Sequence, residues 1–188
     1  MTSEFSASSA VANASLREDQ VKLGLWMFLA TVTMLFAAFA SAYVVRRSGS
    51  DWRHVTLPSL LWWNTLVLAA SSAAVEIAGR RRSAATPAML AALVLGLAFL
   101  AGQAIAWRQL RDAGVYLPTS PHSSFFFMLT GAHAVHVVAA LIVLAWGAAG
   151  AALLRDPRRW AARMTACRTF WHYLGAVWLF LFALMSLV

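Results

Sequence analysis

Two histidines, His133 and His136, lie three residues apart within a long apolar stretch and are the side chains best suited to chemistry. Imidazole can ligate a metal or haem iron, move a proton or hydrogen-bond a neighbouring helix. On a helix this spacing puts both rings on nearly one face. Because hydrocarbon offers no hydrogen bonds, we expect that face to point towards protein or a wet cavity.

Ligation of a cofactor by this pair is the less favoured interpretation. The two residues are separated by a rise of only about 4.5 Å on one helix, so their rings cannot bracket a porphyrin. A metal site would need a third ligand at this depth, and the stretch contains no Asp, Glu or Cys. We therefore predict interhelical hydrogen bonds, with no metal, no cofactor and no catalytic residue in this chain.

Glu76 is the one acidic residue within the long apolar stretches, and a carboxyl in such a place could carry a proton. It precedes Arg80 by four residues near the end of its stretch, so a surface ion pair along one helix is favoured.

Cys167 is the single cysteine and excludes an intrachain disulfide. The sequence also lacks a Gly-rich phosphate loop, a nucleophile elbow and paired carboxylates.

The composition predicts the bilayer as the solvent for these side chains. Hydrophobic residues make up 61% and charged residues 12% of the chain, with a mean hydropathy of +0.69. A water-soluble protein could not bury so much apolar surface. The net charge of +8 could suit nucleic acid, but the basic residues form short clusters between apolar stretches. This distribution favours lipid headgroups over nucleic acid, with Arg80, Arg155 and Arg158 as candidate contacts.

The predicted fold class is an all-α integral membrane protein, a bundle of five transmembrane helices. Each apolar stretch has the roughly 20 residues that a helix needs to cross the hydrocarbon core. The expected helices cover residues 23–45, 58–78, 87–107, 123–150 and 168–188 of one transmembrane domain, 21–188. Residues 1–20 lack the pattern of a signal peptide and are expected to form a mobile cytoplasmic tail.

Polar side chains within these stretches are expected to form a seam between helices, because lipid-facing positions would leave them unpaired. The predicted members of the seam are Asn64, Gln103, Thr130, His133, His136, Trp171 and His172.

Ten of the fifteen Lys and Arg residues lie in the N-terminal tail and in the second and fourth loops. The positive-inside rule then places the N-terminus in the cytoplasm and the C-terminus outside.

Three segments together resemble subunit III of the haem–copper oxidases (cytochrome c oxidases), in its short five-helix form. Thr-Gly-Ala-His-Ala-Val-His-Val at 130–137 is similar to the family's Thr-Gly-x-His-x-x-His-Val signature. Phe-Trp-His-Tyr at 170–173, followed by Val-Trp-Leu-Phe-Leu-Phe at 177–182, is similar to its aromatic-Trp-His-Phe segment and the run after it. Leu-Trp-Trp-Asn-Thr at 61–65, with two serines at 71–72, is similar to its Leu-Asn-Thr segment. The resemblance extends over residues 21–188.

The resemblance implies a non-catalytic subunit of a terminal respiratory oxidase in a bacterial-type plasma membrane. In such a complex electrons pass to oxygen and protons are translocated by partner subunits, with haem and copper in subunits I and II. Subunit III flanks subunit I, holds phospholipid in a cleft between two helix groups, and supports assembly, sustained turnover and proton uptake. These properties are the expectations that the resemblance brings to this chain.

The chain departs from the family pattern at two positions that bear on proton handling. Thr31 and Val32 stand where many members have a buried Glu, and Ala106 stands where many have Glu three residues after Gln103. A carboxylate-dependent role is therefore not carried over, and the two N-terminal helices of the seven-helix form have no counterpart in this sequence. Two alternatives stay open: an accessory protein of nitric oxide reductase, and a free-standing small membrane transporter or haem-binding protein.

Overall fold

The computed structural model describes the backbone of residues 2–50, 52, 57–117, 120–153 and 156–187. These residues form five long α-helices and one 3-10 turn at Arg82–Ala84, and no strand occurs among them. The helices are α1 (Thr2–Arg46), α2 (Leu60–Arg80), α3 (Ala85–Asp112), α4 (Pro121–Leu153) and α5 (Pro157–Leu187).

Each helix contains a segment long and apolar enough to cross a membrane, so the prediction of five transmembrane helices is confirmed. The helices extend past several predicted spans, since α3 ends at Asp112 and α5 begins at Pro157. Hydropathy marks only the part of a helix inside hydrocarbon, whereas intrahelical hydrogen bonds continue into the headgroup region. Proline suits the first position of α4 and α5 because the N–H that it lacks has no intrahelical partner there.

The chain divides into two compact units, Met1–Met34 and Leu35–Val188. The first unit contains the N-terminal part of α1, which is helical from Thr2 onwards. The mobility of residues 1–20 and the single domain over 21–188 stay predictions.

In the second unit α2 packs against α3 and α5, and α4 packs against the same two helices. The part of α1 that belongs to this unit contacts α4 through aromatic rings.

Close packing inside the second unit depends on small residues that lie opposite large aromatic ones. Trp171 and Trp178 of α5 are buried. At Gly96 of α3, a Cβ atom would lie 2.8 Å from Trp171 Cη2 and 2.6 Å from Leu141 Cδ2. Because lipid tails are as apolar as these side chains, close contact between helices stabilises the bundle more than removal of apolar surface from water does.

Candidate functional site

The α2 side of a polar layer consists of two neighbouring residues, Asn64 and Thr65. Asn64 is buried, and its Nδ2 donates a hydrogen bond to the Phe99 carbonyl oxygen of α3 at 3.0 Å. Gly102 makes room for this contact, since a Cβ atom there would collide with Asn64 Oδ1. Thr65 Oγ1 accepts a hydrogen bond from Trp178 Nε1 of α5 at 3.0 Å. These two side chains join α2 to both of its neighbours.

Thr130 joins α4 to α3. Trp107 Nε1 donates to Thr130 Oγ1 at 3.1 Å, and the threonine hydroxyl donates in turn to the Phe126 carbonyl oxygen at 2.6 Å. Thr130 is buried, so a hydroxyl that both donates and accepts avoids the cost of an unpaired polar group. The structure thus brings two members of the predicted seam, Asn64 and Thr130, into hydrogen bonds between helices.

His133 lies in the same layer but is surrounded by aromatic rings. It is 1% exposed, and its ring centroid lies 5.4 Å from that of Trp178, 6.1 Å from Phe99 and 6.3 Å from Phe36. Among the described residues, neither ring nitrogen of His133 and neither amide atom of buried Gln103 has a hydrogen-bond partner. The interhelical hydrogen bonds expected of these two residues are not found. Ring contacts hold His133 instead.

His136 is half-buried and points to a different partner. Its Nδ1 donates to the Ala132 carbonyl oxygen of the same helix at 2.7 Å, and its ring lies 5.5 Å from that of Phe36. Three residues along a helix turn the side chain by about 60° relative to its neighbour, which moves His136 to the edge of the packed face. The histidine pair therefore shares Phe36 but no polar partner.

A second cluster surrounds Glu76 and joins α2 to α5. Arg168 Nη2 lies 2.7 and 2.8 Å from the two carboxylate oxygens, and its Nε lies 3.1 Å from one of them. Arg80 Nε donates to the same carboxylate at 2.7 Å, which is the ion pair expected from the sequence. His172 Nε2 lies 3.5 Å from it. The Arg168 side chain crosses α2 at Gly79, where a Cβ atom would lie 2.6 Å from Arg168 Cδ.

Sequence reasoning missed three residues that make these contacts. Arg168 enters the prediction only as one of the ten basic residues of the tail and the second and fourth loops, although an acid within a span commonly pairs with a cation. Trp107 and Trp178 are not among the predicted members of the seam, although buried indole N–H groups usually find an acceptor. Trp171 and His172, two predicted seam residues, lie outside the polar layer: Trp171 packs at Gly96 and His172 belongs to the Glu76 cluster.

The polar layer joins helices and does not bring metal ligands together. Within the described parts of the chain, no group of three His, Cys, Asp or Glu residues could hold a metal ion. His54 and Arg155 lie outside the described residues. The hydrogen bonds of Asn64, Thr65 and Thr130 each connect two helices, so these residues stabilise helix packing.

The family model for cytochrome c oxidase subunit III matches residues 7–187 of this sequence. The chain belongs to that family. It is 27% identical over 187 residues to the probable cytochrome c oxidase subunit 3 of Mycobacterium tuberculosis (strain ATCC 25618 / H37Rv), with 92% of this chain and 90% of the relative covered. The subunit 3 of Corynebacterium diphtheriae is 27% identical, with 88% and 87% covered. That of Bacillus sp. (strain PS3) is 23% identical, with 100% and 95% covered.

Membership of the subunit III family confirms the resemblance seen in the motifs at 130–137 and 170–182. The protein is a subunit III of a terminal oxidase and a multi-pass membrane protein. Its partners are other cytochrome c oxidase subunits, and subunit III of this family contains no redox cofactor.

Proposed function

We propose that this subunit III docks on subunit I and stabilises the assembled oxidase for sustained turnover. Partner subunits hold the haem and copper, reduce oxygen and translocate protons. The polar layer is the observation that supports this role, because its paired side chains, Asn64, Thr65 and Thr130, connect the chain's own helices. Buried polar groups that are hydrogen-bonded in this way give a bundle a defined shape on which a partner can dock.

Docking takes place through the apolar outer surface of the bundle. Large apolar side chains are exposed on the outside of three helices: Val94, Leu97, Val135, Ile142 and Leu179. Within a bilayer such a surface contacts lipid tails or an apolar helix about equally well, so close packing decides where subunit I binds. Phospholipid occupies the part of this surface that subunit I leaves free. Its headgroups contact Arg80, Arg155 and Arg158, of which the first and third are exposed at helix ends.

The N-terminus lies in the cytoplasm and the C-terminus outside. Ten of fifteen basic residues precede the first span or occupy the second and fourth loops, and such loops stay in the cytoplasm. Alkaline phosphatase fused after Val188 should be active, because this enzyme folds only outside the cytoplasm. Green fluorescent protein fused at the same place should be dark. The reverse pattern would contradict the orientation.

The proposed function is tested by purifying the tagged chain in mild detergent from its own cells. We expect larger oxidase subunits on the gel, haem bands in the reduced-minus-oxidised spectrum, and oxygen consumption by the eluate. Removal of this chain should leave the haem spectrum unchanged and shorten the period over which the oxidase stays active.

Two other results would contradict the proposal. A colourless preparation that contains only the 20.4 kDa chain would favour a free-standing membrane protein, and transport would then be tested. Haem bands together with consumption of nitric oxide in place of oxygen would favour the nitric oxide reductase alternative.

A further inference from the structure

One end of the second unit, where α2 ends, α3 begins, α4 ends and α5 begins, is strongly basic. Its described residues include seven arginines: Arg80, Arg81, Arg82, Arg158, Arg159, Arg163 and Arg168. The same end has two carboxylates, Glu76 and Asp156. Positive charge therefore greatly exceeds negative charge in this region.

Three of these arginines hold the helix ends together. The Arg82 guanidinium lies 5.3 Å from the centre of the Trp160 ring, which connects the turn between α2 and α3 to α5. Arg163 lies 3.9 Å from the centre of the Trp146 ring of α4, and its Nη1 donates to the Trp146 carbonyl oxygen at 3.1 Å. Arg168 binds the carboxylate on α2. These contacts fix the end of α2 and the start of α5, where the remaining arginines lie.

The other four arginines, Arg80, Arg81, Arg158 and Arg159, are exposed, and we call them the arginine face. The side chains of Arg80 and Arg159 are 74% and 79% exposed. Their carboxylate neighbours are shared with other groups. The Glu76 carboxylate also binds Arg168. The Asp156 carboxylate lies 3.4 Å from Arg159 Nε and accepts a hydrogen bond from the backbone N–H of Arg158. The arginine face thus keeps a net positive charge.

The arginine face lies where the apolar helices end, and we therefore assign it to the level of the lipid headgroups. The second membrane-crossing segment ends at Arg80, the third begins at Arg82 in the turn before α3, and the fifth begins at Pro157. Trp160 and Trp146 contact Arg82 and Arg163 at the same end of the unit, and aromatic residues are common at a membrane–water interface. Guanidinium binds phosphate oxygens through paired N–H groups, and each basic residue near an anionic surface adds attraction.

We propose that the arginine face binds the headgroups of anionic phospholipids, of the phosphatidylglycerol or cardiolipin class, in preference to zwitterionic ones. The inference rests on the proposed function and names the class of lipid for one part of the surface. A purely topogenic role for these charges would act during insertion only. It would give the folded subunit no preference among lipids, so lipid selectivity separates the two interpretations.

The experiment uses the whole oxidase complex in vesicles that contain a photo-activatable phosphatidylglycerol, with the labelled peptides identified by mass spectrometry. In the wild-type complex, labels are expected on the turn between α2 and α3 and on the start of α5. The variant R81Q/R158Q/R159Q should need on the order of 100-fold more of this lipid for equal labelling, at roughly fivefold per arginine removed. A photo-activatable phosphatidylcholine should label these peptides weakly.

Two matched variants serve as controls. R47Q/R108Q/R111Q removes the same charge from exposed arginines outside the basic end, at the end of α1 and near the end of α3, and should label like the wild type. R81K/R158K/R159K keeps the charge and should restore most of the labelling. Excess inorganic phosphate should not displace the label, because a lipid is also held by its acyl chains.

The inference is overturned if phosphatidylcholine labels the wild type equally, if the glutamine variant labels like the wild type, or if phosphate removes the label. The gel of the same preparation reports separately on the proposed function. Absence of the oxidase subunits would contradict that function, whereas their presence with unselective labelling would contradict the lipid inference alone. A C-terminal alkaline phosphatase reporter verifies that the glutamine variant keeps the wild-type orientation.

Discussion

His133 is a buried imidazole that is packed among rings, with no hydrogen-bond partner among the described residues. Burial of an unpaired polar group costs free energy, and aromatic contacts return about 0.5–1.5 kcal/mol for each pair. The residue therefore contributes through its shape, as a flat ring that fills the space between Phe36, Phe99 and Trp178. His136, at the edge of the same face, has one ring contact with Phe36.

Replacement of the two histidines separates these roles. We expect His133→Leu to lower the thermal midpoint for loss of this subunit from the oxidase, because three ring contacts are removed from the interior. His136→Leu should have a smaller effect, since its hydrogen bond stays within α4. Both variants should leave the reduced-minus-oxidised spectrum unchanged. Loss of a haem band from an intact complex would mean that one of these histidines is a ligand.

Gly102 of α3 leaves room for a side chain of α2 in the polar layer, because Asn64 occupies the place where a Cβ atom would lie. We expect Gly102→Ala to displace Asn64 from the Phe99 carbonyl and to destabilise the subunit by about 1–3 kcal/mol, as other overpacked sites do. The measurement is the thermal midpoint of the purified complex.

Gly175→Ala is the matched control for this prediction. Its added Cβ atom would lie 3.7 Å from Ser72 Oγ, an ordinary van der Waals distance. The variant should be neutral or slightly stabilising, because Ala has the higher helix propensity. Equal losses in both variants would mean that glycine matters for the helix itself and not for the contact with Asn64.

At the level of elements, the Glu76 cluster forms an ionic contact between α2 and α5. We expect Glu76→Gln and Arg168→Gln each to lower the thermal midpoint of the complex, because the paired hydrogen bonds between the helices are lost. Arg80→Gln should change it little, since the Arg80 side chain is 74% exposed and its ion pair lies along one helix.

The double variant Glu76→Gln with Arg168→Gln completes the thermodynamic cycle. If the two residues interact as described, the double variant should be less destabilised than the sum of the single variants. Additive losses would mean that the two side chains stabilise the protein independently, and would contradict an ionic contact between α2 and α5.

At the level of the whole molecule, residues 1–15 are expected to be dispensable. They precede the first membrane-crossing segment, which begins at Lys22, and their sequence is rich in Ala and Ser. A chain that lacks them should assemble with the oxidase in wild-type amounts, as judged by the oxidase subunits that copurify with the tagged chain in mild detergent. Failure to assemble would show that the N-terminal segment itself binds a partner subunit.

The amino-acid sequence is sufficient to predict the class of the molecule and the five membrane-crossing helices, although not where each helix begins and ends. Uninterrupted apolar stretches can satisfy their backbone groups in lipid only as helices, so the five spans followed without knowledge of their neighbours. The ion pair between Glu76 and Arg80 was also predictable, because its spacing is set within one helix. The motif at 130–137 further indicated the subunit III family before any contact was known.

Which side chains meet between helices depends on how the helices pack. The spacing of residues along one helix does not determine how that helix is rotated about its axis. It also does not determine which helix it faces. His133 and His136 looked equivalent by spacing, yet a turn of about 60° puts one among rings and leaves the other at the edge. Arg168 is far from Glu76 in the chain and binds it because α5 packs against α2, where Gly79 gives its side chain room to cross.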